Sequence, residues 1–149
     1  MSNEQKKTDE RIILDYFRQC YRDFPKGKVI ENESPDFIVE TSRKNSVGIE
    51  LTKLHDPGQT HPGFDKNSYD VRTLDKELIE GVIQTKEEKL ALYNKQMNDL
   101  YWLIIFIDQF DGPESFNIKN KIGKWEISSN FNMVFLFEMF SPEVFVLTG

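Results

Sequence analysis

Two acidic residues in a predicted β-hairpin are the strongest candidates for chemistry in this 149-residue sequence. Asp36 follows Ser34-Pro35 at the start of one strand, and Glu50 lies among apolar neighbours in the next. Burying a lone carboxylate is costly, and two adjacent carboxylates repel unless a cation lies between them. Mg²⁺ and Mn²⁺ bind such oxygen ligands. The pair therefore predicts a metal site, with the Leu51 carbonyl as a further ligand, or else two surface carboxylates on an exposed sheet face.

Three further polar residues lie on helix faces that the periodicity turns toward a core. Lys86 interrupts the apolar stripe of a long predicted helix, so its ammonium either extends to the helix edge or meets an anion. Lys89 lies beside it, four residues before Tyr93. Glu10 begins the first predicted helix on its inward face, where it either joins the carboxylates or complements the helix N-terminus.

The two carboxylates depend on the hairpin that carries them. Strand-forming residues at 36–41 and 47–52 flank a polar turn, which predicts two antiparallel strands. In the second strand the apolar side chains point one way, while Gly48, Glu50 and Thr52 point the other way. Because Gly48 has no side chain, we expect it to leave the approach to Glu50 open.

Helices and strands in this order predict a mixed α/β fold, with a central mixed β-sheet opened by the antiparallel hairpin and flanked by helices. The polar residues 1–9 are expected to be disordered, and residues 10–149 to form a single domain. Residues 116–130 fit either a short helix or a strand pair. The other predicted elements are a helix from Glu10 to Pro25-Lys26-Gly27, a loop at 55–69, a helix over about 70–97, and strands at 101–107, 133–137 and 144–147.

Charge and cysteine usage exclude several classes of protein. The net charge of −6 excludes a strongly basic nucleic-acid-binding tail. The single cysteine, Cys20, excludes an internal disulfide and a cysteine-built metal cluster. The N-terminus lacks the apolar segment of a signal peptide, and the longest apolar run, Tyr101 to Ile107, is too short to span a membrane. We therefore expect a cytoplasmic protein without a membrane partner.

Two basic groups and one group of His and Asp residues are weaker candidates for a functional site than Asp36 and Glu50. Arg43 and Lys44 lie at the hairpin turn, and Lys119, Lys121 and Lys124 form a second basic group; each fits a nucleic-acid contact or a solvated face. In the predicted loop, His55 and His61 lie near Asp56 and Asp65 and are more simply loop residues than transition-metal ligands.

The order of these elements, with Ser34-Pro35-Asp36-Phe37 and then Gly48-Ile49-Glu50-Leu51-Thr52-Lys53, resembles the PD-(D/E)XK nuclease superfamily, which has the restriction-endonuclease-like fold. The resemblance covers roughly residues 10 to 107. It implies a metal-dependent nuclease that acts on DNA or RNA, in which Asp36 and Glu50 bind Mg²⁺ or Mn²⁺. It further implies that Glu10 assists the reaction through a water molecule. Lys89, Tyr93, Arg43 and Lys44 are the expected substrate contacts.

The sequence departs from the superfamily pattern at one position. The lysine expected two residues after Glu50 is replaced by Thr52, and Lys53 is out of phase because a one-residue shift places a side chain on the other face of a strand. In similar families the lysine role has moved to the following helix, and Lys86 fits that position.

Two other functions remain open from the sequence. The fold can be kept while catalysis is lost, which would leave a binding or protein-interaction module; the Thr52 substitution and the acidic charge favour this. The second open function is that of a β-rich protein of the immunity type, whose acidic surface would bind a basic partner. The sequence does not reveal the oligomeric state; because many enzymes of the resembled fold cut two strands as dimers, the resemblance leaves a homodimer open.

Overall fold

Six β-strands form one mixed sheet with a helix on each face. The structure, a computed structural model, describes residues 3–54, 75–93, 99–108 and 120–149. The elements in chain order are α1 (Asn3–Cys20), β1 (Lys28–Glu31), β2 (Phe37–Glu40), β3 (Ser46–Lys53), α2 (Lys76–Tyr93), β4 (Leu100–Ile107), β5 (Met133–Glu138) and β6 (Glu143–Thr148).

The strands lie in the sheet in the order of the chain, from β1 to β6. β2 pairs antiparallel with both β1 and β3, and β6 pairs antiparallel with β5. The centre is parallel, with β4 between β3 and β5. Parallel neighbours need a crossover connection, and α2 lies in the segment that joins β3 to β4. A mixed α/β fold with a mixed sheet flanked by helices is therefore confirmed, and the predicted antiparallel hairpin is present as β2 and β3.

The central strand β4 is buried on both faces because its side chains alternate between two cores. Leu103 belongs to the core under α2, which includes Ile79. Ile104 belongs to the core under α1, which includes Phe17. Each helix therefore packs against its own apolar face of the sheet, α1 on one side of β4 and α2 on the other.

The first helix begins at Asn3, earlier than the start at Glu10 that the apolar periodicity predicts. Polar contacts stabilise this first part of the helix: the Gln5 side chain donates to Asp9 at 3.1 Å, and Thr8 Oγ1 donates to the Glu4 carbonyl at 2.9 Å. Hydrophobic periodicity misses such a segment, because none of these contacts is apolar.

The second helix begins at Lys76, later than the predicted start near Asp70. Oδ1 of Asp75 accepts the amide hydrogen of Leu78 at 2.8 Å, which makes Asp75 the N-cap. The predicted end near Met97 lies outside the described residues.

Strands β4, β5 and β6 confirm the three strands predicted at 101–107, 133–137 and 144–147. In the interval that fitted either a helix or a strand pair, residues 120–124 are helical and residues 125–130 are not in a strand. The predicted loop at 55–69 lies outside the described residues. Among the described helices, none combines the length and apolarity needed to cross a bilayer.

Candidate functional site

A cavity of about 410 Å³ opens where the β2–β3 hairpin meets the two helices. α1 contributes Glu10 to its wall, the segment just before β2 contributes Asp36, β3 contributes Glu50, and α2 contributes Lys86. The structure thus brings together four site residues that lie far apart in the sequence. Both helices reach this end of the sheet because each packs on its own face of the central strands.

The strand register brings Asp36 and Glu50 together. Phe37 pairs with Ile49, and Asp36 and Glu50 are the next positions along the two antiparallel strands. The side chains of these two acids share a hydrogen bond, and both residues are buried, at 9% and 4% exposure. Oδ2 of Asp36 also accepts the amide hydrogen of Leu51 at 2.9 Å. The alternative of two carboxylates on an exposed sheet face is therefore excluded by their burial.

The pKa of Asp36 is raised from 3.8 to about 7. Burial is the largest cause, followed by the hydrogen bond to Glu50 and then by the charge of Glu50. The Leu51 amide and the Lys7 ammonium act in the opposite direction. Burial also raises the pKa of Glu10, and the Asp36 charge adds to that shift. The site therefore holds a proton near neutral pH that a bound cation would displace.

Lys86 faces the carboxylate of Glu50 from α2. Its Nζ lies 3.8 Å from Oε2 of Glu50, and its side chain is 18% exposed. The sequence left open whether this ammonium extends to the helix edge or meets an anion; in the structure it meets the Glu50 carboxylate. Lys53, by contrast, forms an ion pair with Asp108 at 3.0 Å. The register of β3 with β4 is continuous as far as Lys53, so no bulge brings Lys53 into phase with Glu50.

Thr52 lines the cavity on the same strand face as Glu50. It is half-buried, and it leaves the position two residues after Glu50 without a cation. The Lys86 ammonium reaches the carboxylates from α2 instead.

Lys7 is a site residue that the sequence analysis missed. Its Nζ donates to the main-chain carbonyls of Asn32 and Asp36, and it lies 3.7 Å from Oδ1 of Asp36. It also lies 3.5 Å from Oε1 of Glu10, a buried atom without a hydrogen-bond partner in the described part of the chain. A signal was present in the sequence: Lys7 precedes Glu10 by one helical turn, provided that the helix begins early enough to include it.

Gly48 does not open the approach to Glu50 as expected. A Cβ at this position would lie 2.9 Å from Cγ of Pro35 and 3.0 Å from the ring of Tyr101. The space beside Gly48 is therefore filled by these two rings, so the prediction is wrong. Because Gly48 has no side chain, the segment that carries Pro35 and the adjacent Asp36 can pack closely against β3.

The expected substrate contacts fall into three groups. Lys89 is exposed and lines the cavity. Arg43 and Lys44 are exposed at the hairpin turn, and the four residue steps from Ser46 to Glu50 place this turn about 13 Å from the carboxylates. The structure does not bring this pair to the cavity. The side chain of Tyr93 lies outside the described part of the structure.

The other candidate polar clusters are not part of this cavity. Lys121 and Lys124 follow the described start of a helical segment at residue 120, and neither lines the cavity. His55, His61, Asp56, Asp65 and Lys119 lie outside the described residues.

The carboxylates form a pair, and no group of three His, Cys, Asp or Glu side chains arranged to hold a metal ion occurs in the described residues. The donor set still fits Mg²⁺ or Mn²⁺, because such ions take one or two carboxylates and complete their shell with water and phosphate oxygens. Leu51 lines the same cavity, so its main-chain carbonyl remains a candidate ligand. The unbonded Oε1 of Glu10 adds an acceptor at the edge of the pair.

Comparisons with protein-family models, curated proteins and solved structures find no match. The function is therefore inferred from the geometry of the Asp36–Glu50 pair and of the residues around it.

Proposed function

We propose that this protein is a metal-dependent nuclease of the PD-(D/E)XK superfamily that hydrolyses phosphodiester bonds of nucleic acid, DNA or RNA. One observation carries the proposal: Asp36 and Glu50 form a buried, hydrogen-bonded pair beside Lys86 in an open cavity. Two buried carboxylates in contact are costly for stability, and groups with strongly shifted pKa values are concentrated at functional sites. A hairpin followed by a lysine-bearing helix and a buried parallel strand also agrees with the resembled fold.

Asp36 and Glu50 would hold the metal ion, which when bound polarises the phosphate and lowers the pKa of a water molecule. For this, Asp36 must lose its proton, while the Leu51 amide keeps one of its oxygens in place. Glu10 presents a buried oxygen without a hydrogen bond in the described part of the chain, and this oxygen can accept a hydrogen bond from the water. The attacking water would lose a proton to solvent as its oxygen bonds to phosphorus, and the bond from phosphorus to the leaving oxygen would break as that oxygen takes up a proton from solvent.

Lys86 would stabilise the negative charge that develops on the phosphate oxygens. Its ammonium is held by Glu50 at the wall of the cavity and needs no large movement to reach a bound phosphate. Lys89, one turn further along the exposed side of α2, would contact a flanking phosphate.

The local charge around the carboxylates suits a polyanion better than the net charge of the chain suggests. The net charge is −6, but four lysines line the cavity together with five acidic residues. A divalent ion at the carboxylates would shift this balance toward positive charge, and phosphate neutralisation supplies most of the affinity for nucleic acid. A nearly neutral cavity of this kind attracts a phosphodiester only after it has bound metal.

Titration of Mn²⁺ by calorimetry, followed by a cleavage assay with Mg²⁺, tests the proposal. Wild-type protein is compared with Glu50→Ala and with Glu40→Ala, which changes an exposed glutamate of the same hairpin. The titration is repeated with a non-cleavable oligonucleotide, because a phosphate can be needed to complete the metal shell. The substrates are single- and double-stranded DNA and RNA.

We expect Mn²⁺ binding and cleavage in wild-type protein and in Glu40→Ala, and loss of both in Glu50→Ala. Metal binding without cleavage of any substrate, or no binding even with the oligonucleotide, would contradict a nuclease. The second result would favour the alternative function, a non-catalytic binding or protein-interaction module of the same fold.

A further inference from the structure

We infer that Lys7 is a positioning residue for Asp36: it fixes the loop that presents this carboxylate to the site. Its importance for metal binding rests on the proposed function, while the positioning itself does not. Asp36 precedes β2 and lies outside the regular strand pairing. Something other than the ladder must therefore hold the loop before β2 in place.

Lys7 contacts this loop at both ends. Its Nζ donates to the Asn32 carbonyl at the start and to the Asp36 carbonyl, at 3.1 Å, at the end. The amide of Asn32 also donates to the Asp36 carbonyl at 2.9 Å, and its side chain donates to the Pro35 carbonyl at 2.9 Å. The ammonium thus closes a loop that is already tied at its ends, and the shape of that loop determines where the Asp36 side chain points.

Main-chain carbonyls are the hydrogen-bonded partners of Lys7, and the carboxylates are more distant. The distances to Asp36 Oδ1 and Glu10 Oε1 are 3.7 and 3.5 Å, beyond the usual range for a charge-assisted hydrogen bond. The Lys7 ammonium also lies 5.2 Å from the ring centroid of Phe37, within the range of a cation–π contact. These contacts hold the main chain on each side of the Asp36 side chain, which is what a positioning residue requires.

Lys7 and Lys86 are therefore expected to act differently on the site. Each carries a positive charge near a carboxylate of the site, but Lys86 meets a side-chain oxygen of Glu50, whereas Lys7 donates to two main-chain carbonyls. A purely electrostatic Lys7 would repel a metal ion, so its removal would tighten binding. A positioning Lys7 predicts the opposite, because the ligand Asp36 loses its orientation when the loop is released.

The test compares Lys7→Met with Lys6→Met, which removes the same charge from a neighbouring exposed residue at the cavity. Hydrogen exchange of the Leu51 amide gives a readout that needs no metal, because this amide donates to Asp36 Oδ2. Mn²⁺ titration gives the second readout. Far-UV circular dichroism checks that each variant is folded, and exchange at the amides of β4 provides an internal reference.

In Lys7→Met we expect Leu51 exchange to accelerate on the order of tenfold, while β4 is unchanged. We expect Mn²⁺ binding to weaken by about 10- to 100-fold, as is usual when a residue that orients a metal ligand is lost. Lys6→Met should leave Leu51 exchange as it is and bind Mn²⁺ equally or more tightly. Lys7→Arg, which keeps a charged donor, should restore much of the Leu51 protection.

Unchanged Leu51 exchange in a folded Lys7→Met, or tighter Mn²⁺ binding, would overturn the inference. If Lys7→Met does not fold, Lys7→Gln is measured instead and must show the same direction of change. Faster Leu51 exchange in Lys7→Met, together with a wild-type protein that binds no Mn²⁺, would support the positioning role and contradict the proposed nuclease, so the two failures can be told apart.

Discussion

A side-chain oxygen of Asp36 takes the place of a main-chain carbonyl beside Leu51: Oδ2 accepts the Leu51 amide hydrogen at 2.9 Å. β2 begins at Phe37, so this contact continues the interaction between β2 and β3 by one residue beyond the ladder. It also brings the Asp36 carboxyl group against Glu50, the residue before Leu51. The stability and the metal affinity of the site should both depend on this contact and on its immediate neighbours.

Asp36 makes the folded protein less stable as the pH rises. Its folded-state pKa of about 7 lies above its ordinary value of 3.8, so the folded state binds more protons than the unfolded state between these values. The free energy of unfolding should therefore fall as the pH rises from about 4 to 7. Asp36→Asn, which resembles the protonated acid, should weaken this fall and raise metal-free stability at pH 8 by up to about 4 kcal/mol, because each unit of the raised pKa corresponds to about 1.4 kcal/mol. Urea unfolding at several pH values measures both effects.

Glu10 provides the control for that experiment. Its pKa is also raised, so a smaller fall in stability with rising pH should remain in Asp36→Asn and disappear when Glu10→Gln is added. An undiminished fall in Asp36→Asn would show that other groups cause it.

Mn²⁺ affinity should rise with pH if Asp36 is a ligand. Below its pKa of about 7 the ion must displace a proton, so affinity should increase by up to about tenfold per pH unit from pH 5 to 7 and level off above that. Calorimetry in buffers of different ionisation enthalpy also counts the protons released. A constant affinity over this range would place the metal elsewhere.

We expect Lys86, and not Lys53, to stabilise the charge that develops on the phosphate. If the protein is the proposed nuclease, Lys86→Met should lower the cleavage rate by about 10²–10³-fold, because it removes a charge that would face the phosphate. Mn²⁺ binding should stay equal or become tighter, since a cation 3.8 Å from Glu50 is lost. Lys53→Met should leave cleavage near the wild-type rate, because Lys53 is paired with Asp108. Cleavage that is lost in Lys53→Met and kept in Lys86→Met would reverse this assignment.

Gly48 should tolerate no side chain. Gly48→Ala places a Cβ about 3 Å from both Pro35 and the Tyr101 ring, so it should destabilise the protein by about 1–3 kcal/mol and weaken Mn²⁺ binding by displacing Asp36. Gly81→Ala in α2 is the matched control, because a Cβ there would meet no atom of the described residues outside its own helix within 4 Å. Helix propensity predicts that this control gains up to about 1 kcal/mol. Thermal unfolding of the two variants measures the difference, and equal stability would mean that the Pro35 segment moves freely.

Local patterns in the sequence determined most of the fold. The alternation around Glu50 predicts which residues of β3 face each helix, and the unbroken apolar run at 101–107 predicts a strand covered on both sides. These features can be predicted because a strand buried on one face alternates apolar and polar residues, whereas a strand buried on both faces is apolar throughout. The inward position of Lys86 was readable for the same reason, from the apolar stripe that it interrupts.

Only the tertiary structure decided how the site residues meet. The register that brings Asp36 to Glu50, the rings that fill the space at Gly48 and the contacts of Lys7 with Asn32 depend on residues distant in the chain. The helical turn around Lys7 carries no apolar period, and the contacts of Lys7 with the Asn32 and Asp36 carbonyls join residues distant in the chain, so no local pattern marks it. The sequence by itself determined which side chains are available for chemistry, and the packing of both helices on one sheet decided which of them share a cavity.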